Sequence, residues 1–403
     1  MPHAHTHRCP TLTLLILLLT LATNHTQHAS AQTPNSDTSA NTSANTSANT
    51  STTPPPAFSL RELPPLPDAE GFAGAFAGIS ENHLLVIGGA NFPEKKPWDG
   101  GTKVWSDRVY ALPLSIPRSI RQGQTPAHPA LLMNRTPWKL AGRWPNPTGY
   151  GVSVTHHNEV LCIGGSNSTQ HHSAVIAVRY LNSTLTLRQL PALPNPLANH
   201  CGTRVGNLLF ISGGQTTPNS APAESATWTL DLTQPEQGWN RLPDCPGPPR
   251  ILATAASTGT DFWVVGGASL QRGPDGKPVR TWLKDAWRWS PANGWQQLPD
   301  LPAPRVAAPS PAPTLQQSPI LLGGDDGSQA TSDPRTHRGF NITTLSLSLN
   351  PPHQSAWTTT TPFPPAVVTT PTVAVDDFWI IPSGEIRPGI RSPATWLLHP
   401  TQP

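Results

Sequence analysis

Charged side chains are scarce in this sequence. Only 12% of its 403 residues are Asp, Glu, Lys or Arg, and the formal net charge is +3. No basic stripe and no block of like charges is present, which argues against a nucleic-acid-binding surface. Stretches with helical spacing of apolar residues are also lacking beyond the amino-terminal region, whereas Gly (31) and Pro (50) are abundant. Many short strands joined by turns are therefore predicted.

Long hydrophobic runs are absent except at the amino end. The run Thr11–Ala22 is too short to cross a bilayer comfortably. The small residues Ala29-Ser30-Ala31 resemble the cleavage site of a signal peptide. Residues 1–31 are predicted to be a signal peptide, with an uncleaved anchor as the alternative. We expect a periplasmic or secreted protein without membrane attachment after cleavage. Residues 32–56 repeat Asn-Thr-Ser-Ala and end in prolines, so a disordered linker is predicted there.

Cysteine is rare as well, with four residues in the chain. Removal of Cys9 with the signal peptide leaves Cys162, Cys201 and Cys245, so at most one internal disulfide can form. Cys162 and Cys201 fall in adjacent repeats, so a disulfide between them is one interpretation. Burial of all three as small apolar side chains is the competing interpretation. No pair of cysteines has the spacing of metal ligands.

A repeated strand dominates the remainder of the chain. Six apolar segments each run into a small, flexible terminus, in most cases Gly-Gly, and they recur every fifty to seventy residues or so. This period is typical of propeller blades, with kelch repeats near its lower end. The six segments are Leu84–Gly89, Val160–Gly165, Leu208–Gly214, Phe262–Gly267, Ile320–Gly324 and Phe378–Gly384.

Each repeat continues into a further strand and then an outer strand, such as Trp239–Leu242 or Trp295–Leu298. The sixth repeat has Ala394–Leu398 but no outer strand after it, whereas Phe58–Leu63 stands unpaired before the first repeat. Pairing these two segments would remove exposed sheet edges. The sequence therefore predicts an all-β, six-bladed kelch-type β-propeller over residues 57–403, its ring closed by an N-terminal outer strand.

Polar residues at the ends of the innermost strands should converge at one mouth of the ring. We expect Asn91, His200, Arg250 and Arg305 there, as substrate-binding candidates. Guanidinium groups around one pocket suit an anionic small molecule, because they match carboxylates in paired hydrogen bonds. The competing interpretation of each arginine is a solvated loop residue.

The segment Ser383–Arg391 departs from the repeat, because a carboxylate follows its glycine directly. Glu385 is the candidate catalytic base, and Arg387 and Arg391 lie in the same loop as candidate substrate-binding residues. Departure from regularity in one copy of a repeat is expected where function overrides it. An ordinary ion pair within the loop is the structural alternative.

Three motifs resemble the N-acetylneuraminate epimerases, the sialic acid mutarotases, and specifically their cyclically permuted group. The first is Gly384-Glu385-Ile386-Arg387-Pro388-Gly389-Ile390-Arg391, which is similar to the family's Gly-Glu-X-(Lys/Arg)-Pro-Gly-X-Arg. The second is Gly71–Ser80 leading to Gly88–Phe92, and the third is Gly149–Ser153 leading to Ile163–Gly165. One position departs from the family, which often has Arg where this chain has Thr148.

The resemblance implies an isomerase that interconverts the α and β anomers of N-acetylneuraminate, or of a related acidic or amino sugar. It assigns the proton acceptor to Glu385 and carboxylate binding to Arg391, with Arg250 at a similar Pro-Arg position. No cofactor or metal is needed for such chemistry. The expected partner is the small-molecule sugar, and a monomer or weak dimer is expected.

Two other function classes stay open at this point. A kelch propeller can be a non-catalytic protein- or glycan-binding module, for which Trp98, Trp105 and Trp282 would supply surface. A copper radical oxidase resembling galactose oxidase would need Tyr and His ligands. The three tyrosines of this chain lie in or beside ordinary strands, and adjacent histidines such as His156 and His157 point to opposite faces of a strand.

Overall fold

The structure is a computed structural model and describes residues 57–114, 137–349 and 355–401. The predicted signal peptide, the predicted linker and the insertion from Ser115 to Arg135 lie outside the described residues. Within the described ranges the chain is built of β-strands with two short 3₁₀ helices, Pro97–Asp99 and Pro235–Gln237. The prediction of an all-β chain is confirmed there. None of the described helices has the length and apolar character needed to span a membrane.

The first fifteen strands cover the amino-terminal half. In chain order they are β1 (Ala57–Leu63), β2 (Phe76–Ser80), β3 (His83–Ile87), β4 (Ala90–Asn91), β5 (Val104–Trp105), β6 (Arg108–Pro113), β7 (Lys139–Arg143), β8 (Val152–His156), β9 (Glu159–Ile163), β10 (Val175–Leu181), β11 (Thr184–Leu190), β12 (Cys201–Val205), β13 (Leu208–Ser212), β14 (Thr227–Asp231) and β15 (Trp239–Leu242).

Sixteen further strands follow. They are β16 (Arg250–Ile251), β17 (Thr254–Thr258), β18 (Asp261–Val265), β19 (Ala268–Arg272), β20 (Pro278–Trp282), β21 (Ala286–Ser290), β22 (Gly294–Leu298), β23 (Thr314–Leu315), β24 (Ser318–Gly324), β25 (Asn341–Ser348), β26 (Ala356–Thr359), β27 (Val373–Val375), β28 (Phe378–Pro382), β29 (Glu385–Arg387), β30 (Ile390–Arg391) and β31 (Thr395–Thr401).

Six four-stranded antiparallel sheets account for most of these strands in the described part of the chain. We number them in chain order: sheet 1 is β2-β3-β6-β7, sheet 2 is β8-β9-β10-β11, sheet 3 is β12-β13-β14-β15, sheet 4 is β17-β18-β21-β22, sheet 5 is β23-β24-β25-β26 and sheet 6 is β27-β28-β31-β1. The predicted Gly-terminated strands are the second strand of every sheet. Two ribbons, β4-β5 and β29-β30, and a small sheet, β16-β19-β20, extend from the ends of second strands.

The first and last described strands are neighbours in one sheet. Strand β1 pairs with β31 antiparallel over seven residues, from Ala57 opposite Thr401 to Leu63 opposite Thr395. The predicted pairing of Phe58–Leu63 with the C-terminal strand is therefore present. Phe58 and Leu63 are both buried, so the pairing also places apolar side chains in the core.

Six backbone hydrogen bonds join the sheets in a closed ring, each running from the N–H of one residue to the carbonyl of its counterpart in the preceding sheet. The donor–acceptor distances are 2.7–2.8 Å, and every member has positive φ. The sixth bond returns to the starting residue, so the segments that precede the innermost strands encircle one axis. We call this set the hub ring: Gly74, Tyr150, Asn199, Leu252, Ala307 and Thr369.

Tryptophans of the outer strands connect neighbouring sheets at the periphery. Four indole N–H groups donate to the carbonyl of a proline in the segment that leaves the preceding outer strand, at 2.8–2.9 Å: Trp138 to Pro64, Trp239 to Pro191, Trp295 to Pro243 and Trp357 to Pro299. This contact satisfies the one polar atom of a large apolar side chain. It explains why Trp and Leu-Pro recur in the repeat.

Cysteines play no covalent part in holding the sheets together. Cys162, Cys201 and Cys245 are unpaired and buried. Burial raises the pKa of the Cys201 thiol to about 12, so it stays protonated and behaves as a small apolar side chain. The interpretation as buried apolar residues therefore holds, and the pairing of Cys162 with Cys201 is not formed.

Candidate functional site

Glu385 occupies one of six equivalent positions at the hub. In each sheet, the residue after the glycine terminus forms an antiparallel bridge with the residue that precedes the hub ring. Because the ring surrounds the axis, these six residues also surround it. They are Ala90, Ser166, Gln215, Ala268, Asp325 and Glu385. Asp325 and Glu385 are the two acidic residues of this set, so both lie beside the hub ring.

A short ribbon holds Glu385 beside Arg391. Strands β29 and β30 are antiparallel, and Glu385 lies directly opposite Arg391 in their register. Gly389, with a φ of +79°, allows the tight turn between the two strands. The Oε1 atom of Glu385 accepts the N–H of Gly389 at 2.7 Å and lies 3.3 Å from Nη1 of Arg391. The ribbon therefore brings together the predicted base and one predicted arginine.

The guanidinium of Arg391 is buried, and some of its N–H groups have no acceptor among the described residues. Its side chain is 3% exposed, and its carbon centre lies 4.7 Å from the centroid of the Phe92 ring, a cation–π contact. Nε and Nη1 are sealed from solvent and have no hydrogen-bond partner among the described residues, because the 3.3 Å contact with Glu385 lacks hydrogen-bond geometry. Buried donors without a partner cost free energy, so a hydrogen-bond acceptor at these nitrogens would stabilise the cation.

Glu385 keeps one carboxylate oxygen available. Its contacts within the described ranges all involve Oε1, and the side chain is 17% exposed. An anchored Oε1 orients the group, and Oε2 is left to accept a proton from a bound molecule. A general base must come within hydrogen-bond reach of the proton it removes, so the unoccupied Oε2 is the atom of Glu385 to consider for that role.

Arg305 resembles Arg391 in its lack of partners. It is 3% exposed, and its Nε and Nη1 are buried without a hydrogen-bond acceptor in the described part of the chain. Burial lowers the pKa of Arg305, while the nearby charge of Asp326 opposes that shift. A second guanidinium with unsatisfied donors is therefore present next to the hub ring member Ala307.

Arg250 is placed differently, although it occupies the position in its sheet that Arg305 occupies in the next. Its guanidinium makes two hydrogen bonds to the Asp285 carboxylate, at 2.9 and 2.6 Å, and two to the carbonyls of Pro248 and Gly266. The side chain is 2% exposed. These bonds occupy Nε and both terminal nitrogens, which is the arrangement of a structural ion pair.

The side chain of Asn91 is already hydrogen-bonded, and that of His200 is buried. The Asn91 amide, 4% exposed, donates to Asp68 and to the carbonyl of Gly71 at 3.1 and 3.0 Å. His200 is buried, and neither ring nitrogen has a partner in the part of the chain that the structure describes; desolvation together with His171 lowers its pKa to about 3. His200 is therefore neutral near pH 7. Arg387 lies in β29, two residues from Glu385, and is partly exposed.

Two groups beside this end of the hub had no sequence-based prediction. Lys103 places its ammonium 4.9 Å from the centroid of the Tyr150 ring and 5.6 Å from that of Trp105. His337 is buried in the loop that precedes β25. Neither residue lies in a repeat motif. Their positions beside the hub ring follow from the path of their loops, which the sequence pattern does not predict.

A large cavity bounded by described residues lies on the other side of the hub ring. It has a volume of about 1020 Å³ and is lined by innermost strands, with hydroxyl side chains such as Ser153, Thr155 and Thr203. Several of these hydroxyls are bonded to backbone, as in Ala77 N–H to Ser153. Among the described residues no group of three or more His, Cys, Asp or Glu is arranged to hold a metal ion.

Comparison with known families gives a match at the amino-terminal end of the described chain. Residues 57–187, about a third of the sequence, match the N-acetylneuraminate epimerase family. The resemblance to this family is confirmed. The match covers β1 and sheet 1 and nearly all of sheet 2. Glu385 and Arg391 lie outside it, so their roles as N-acetylneuraminate epimerase residues stay predictions.

Individual epimerases show the same partial similarity. The chain is 38% identical over 119 residues to the N-acetylneuraminate epimerase of Salmonella enteritidis PT4 (strain P125109), covering 27% of this chain and 26% of the relative. It is 32% identical over 142 residues to that of Haemophilus influenzae (strain PittEE), covering 32% of each. The matched stretch thus spans about a quarter to a third of the length of these relatives.

A solved structure shares the fold over a much greater length. The structure of YjhT superimposes with a TM-score of 0.57 at 13% sequence identity, covering 84% of this chain and 99% of that chain. At this identity the likeness shows the fold alone.

Proposed function

We propose that this protein is a mutarotase that interconverts the α and β anomers of N-acetylneuraminate, or of a related acidic or amino sugar. The pair formed by Glu385 and Arg391 carries the proposal. A carboxylate with one oxygen available and a buried guanidinium with unsatisfied N–H groups are what proton removal and carboxylate binding require. Similarity of residues 57–187 to N-acetylneuraminate epimerases supports the substrate class.

The proposal includes the architecture that creates the site. We interpret the six four-stranded sheets as blades of a closed kelch-type β-propeller of the cyclically permuted group, with β1 as the outer strand of the last blade. The hub ring and the pairing of β1 with β31 support this interpretation. A permuted chain keeps the order of its blades around the axis, so it keeps the pocket at the hub.

The chemistry follows from the placement of the two side chains. Glu385 removes the proton of the anomeric hydroxyl through Oε2 as the bond between the anomeric carbon and the ring oxygen breaks, and a water protonates that oxygen. The open-chain ketone then rotates and recloses on its other face, which reverses both proton transfers. Arg391 binds the sugar carboxylate and holds the open chain, with Arg305 as a second cation nearby. General acid–base help of this kind contributes ~10²–10⁴ in rate, which suffices because uncatalysed mutarotation is already fairly quick.

The proposal also includes export of the protein. The apolar segment Thr11–Ala22 and the site at Ala29-Ser30-Ala31 support a cleaved signal peptide and a periplasmic or secreted protein. The single partner required is the sugar, and a monomer or weak dimer suffices because Glu385 and Arg391 come from one chain.

Decay of the pure α anomer of N-acetylneuraminate, followed by proton NMR, tests the function. We expect the wild-type protein to accelerate decay and Glu385→Gln to lower the protein-dependent rate ~10²–10⁴-fold, because the amide cannot accept the proton. Asp377→Asn is the matched control: this carboxylate lines the cavity beyond the hub ring, so the rate should not change. A wild-type rate equal to the spontaneous one, or full activity in Glu385→Gln, would overturn the proposal in favour of a non-catalytic binding module.

A further inference from the structure

The loop before β25 borders the Glu385 ribbon. Two hydrogen bonds hold this loop to Gln329: its side-chain amide donates to the Gly339 carbonyl at 3.0 Å and accepts the Arg338 N–H at 2.8 Å. A Cβ atom at Gly339 would lie 3.8 Å from the carbonyl oxygen of Ile386, within β29. Gly339 therefore lies against the strand that carries Glu385.

His337 is held in this loop in one tautomer. Its Nδ1 accepts the N–H of Gly339 at 3.1 Å, so the proton of the neutral ring must lie on Nε2. The ring packs against Phe340, with centroids 5.2 Å apart, and the residue is 5% exposed. Within the described ranges Nε2 has no protein acceptor, yet it is not among the atoms sealed from solvent. The neutral ring therefore carries its N–H donor at Nε2, with no acceptor among the described residues.

Charged groups surround the ring on two elements. Asp325 and Asp326 act on it from the end of sheet 5, and Glu385 and Arg387 act on it from β29. Desolvation is the largest effect and lowers the pKa of His337, so the neutral form prevails near pH 7. This agrees with the hydrogen bond from Gly339, which a doubly protonated ring could not accept.

Building on the proposed mutarotase function, we propose that His337 is a second catalytic residue, whose Nε2–H donates a hydrogen bond to the ring oxygen of the sugar. As Glu385 takes the anomeric proton, the bond between the anomeric carbon and the ring oxygen breaks and its electron pair stays on that oxygen. The hydrogen bond stabilises the developing charge, and a water at the mouth supplies the proton. Reclosure reverses these transfers, so no net proton is consumed.

Substitution of His337 tests the role through the rate of mutarotation. His337→Phe keeps the ring packing and removes the donor, and we expect kcat to fall ~10²–10³-fold with KM little changed, as for loss of a hydrogen bond made in the transition state. His337→Gln places an amide N–H near the position of Nε2 and should retain at least about tenfold more activity than His337→Phe. His399→Phe is the matched control, because His399 is also stacked on an aromatic ring but lines the cavity beyond the hub ring.

The outcomes separate this inference from the function on which it depends. If wild-type protein fails to accelerate anomer decay, the proposed function falls and the inference falls with it. If wild type is active and His337→Phe matches it within about threefold, or His337→Gln does no better than His337→Phe, the inference alone is wrong. Should His337→Phe not fold, ¹⁵N NMR of the imidazole decides: adding the sugar should shift the Nε2 resonance, and an unmoved resonance would overturn the role.

Discussion

Two buried arginines near the hub differ in how many of their N–H groups are hydrogen-bonded. This difference is the basis for assigning a structural role to one and a ligand-binding role to the other. Arg250 has four hydrogen bonds, two of them to Asp285, whereas two nitrogens of Arg391 are sealed and have no partner within the described ranges. A fully paired guanidinium has little left for a ligand. An unsatisfied one gains a great deal from an incoming carboxylate, because a buried donor without a partner costs free energy.

Methionine substitutions at these two arginines should therefore affect different properties: stability for Arg250 and substrate binding for Arg391. Arg250→Met leaves the largely buried Asp285 carboxylate unpaired, and we expect it to lower the free energy of unfolding by about 3–5 kcal/mol without changing KM. Arg391→Met should raise KM for the sugar at least about tenfold and cost clearly less stability. Urea unfolding and mutarotation kinetics measure the two effects. Asp285→Asn is the control for the ion pair, and the reverse ranking would contradict the assignment.

Short connecting segments, rather than the strands, create the hub. Each member of the hub ring has positive φ although five of the six are not glycine. This conformation costs roughly 1–2 kcal/mol for an ordinary residue and persists because the ring bonds over-determine it. Gly74 is the exception, and the space around it gives the reason. A Cβ there would lie 2.7 Å from Cδ1 of Tyr150.

Gly74→Ala should accordingly destabilise the protein more than a glycine replacement at an uncrowded position. Gly100 is the matched control, since its φ of +79° is similar and no atom lies within 4 Å of its Cβ position. We expect Gly100→Ala to cost about 1–2 kcal/mol from the backbone alone. Overpacking adds about 1–3 kcal/mol for Gly74→Ala. Equal losses for the two variants in chemical denaturation would show that the ring is not tightly packed at Gly74.

At the scale of the whole molecule, the two ends of the described chain complete one sheet. Strand β1 covers an edge of β31 that would otherwise expose unpaired backbone groups, and such edges promote association between chains. Phe58 and Leu63 add apolar burial to this pairing. The amino-terminal strand therefore contributes both stability and protection from aggregation.

Removal of residues 1–63 tests this role against removal of residues 1–56, which leaves β1 in place. Because full burial of a large apolar side chain stabilises by about 1.5–3 kcal/mol, loss of Phe58 and Leu63 alone should cost about 3–6 kcal/mol. The shorter chain should unfold at a lower temperature and elute as larger species in size-exclusion chromatography. If the two truncated proteins had the same Tm and elution volume, β1 would be dispensable.

Much of the fold could be read from the chain because its signals are local. Strands that end at glycine, outer strands that begin near Trp and the unpaired segment Phe58–Leu63 each follow from short patterns of apolar residues and turns. The predicted outer strand Trp295–Leu298 instead begins one residue earlier, at Gly294. Such a shift is expected, since strand ends depend on neighbours that local sequence does not specify.

The sequence by itself determined the repeat, the count of second strands and the placement of Glu385 and Arg391 in one loop, because residues a few positions apart must lie near each other. Only the tertiary structure decided that Asp285 forms an ion pair with Arg250 and that His200 is buried and neutral. It also decided that the loop of His337 borders the β29-β30 ribbon. Burial and hydrogen-bond partners depend on contacts between distant parts of the chain. These contacts form when the sheets meet around the hub, and no local pattern encodes them.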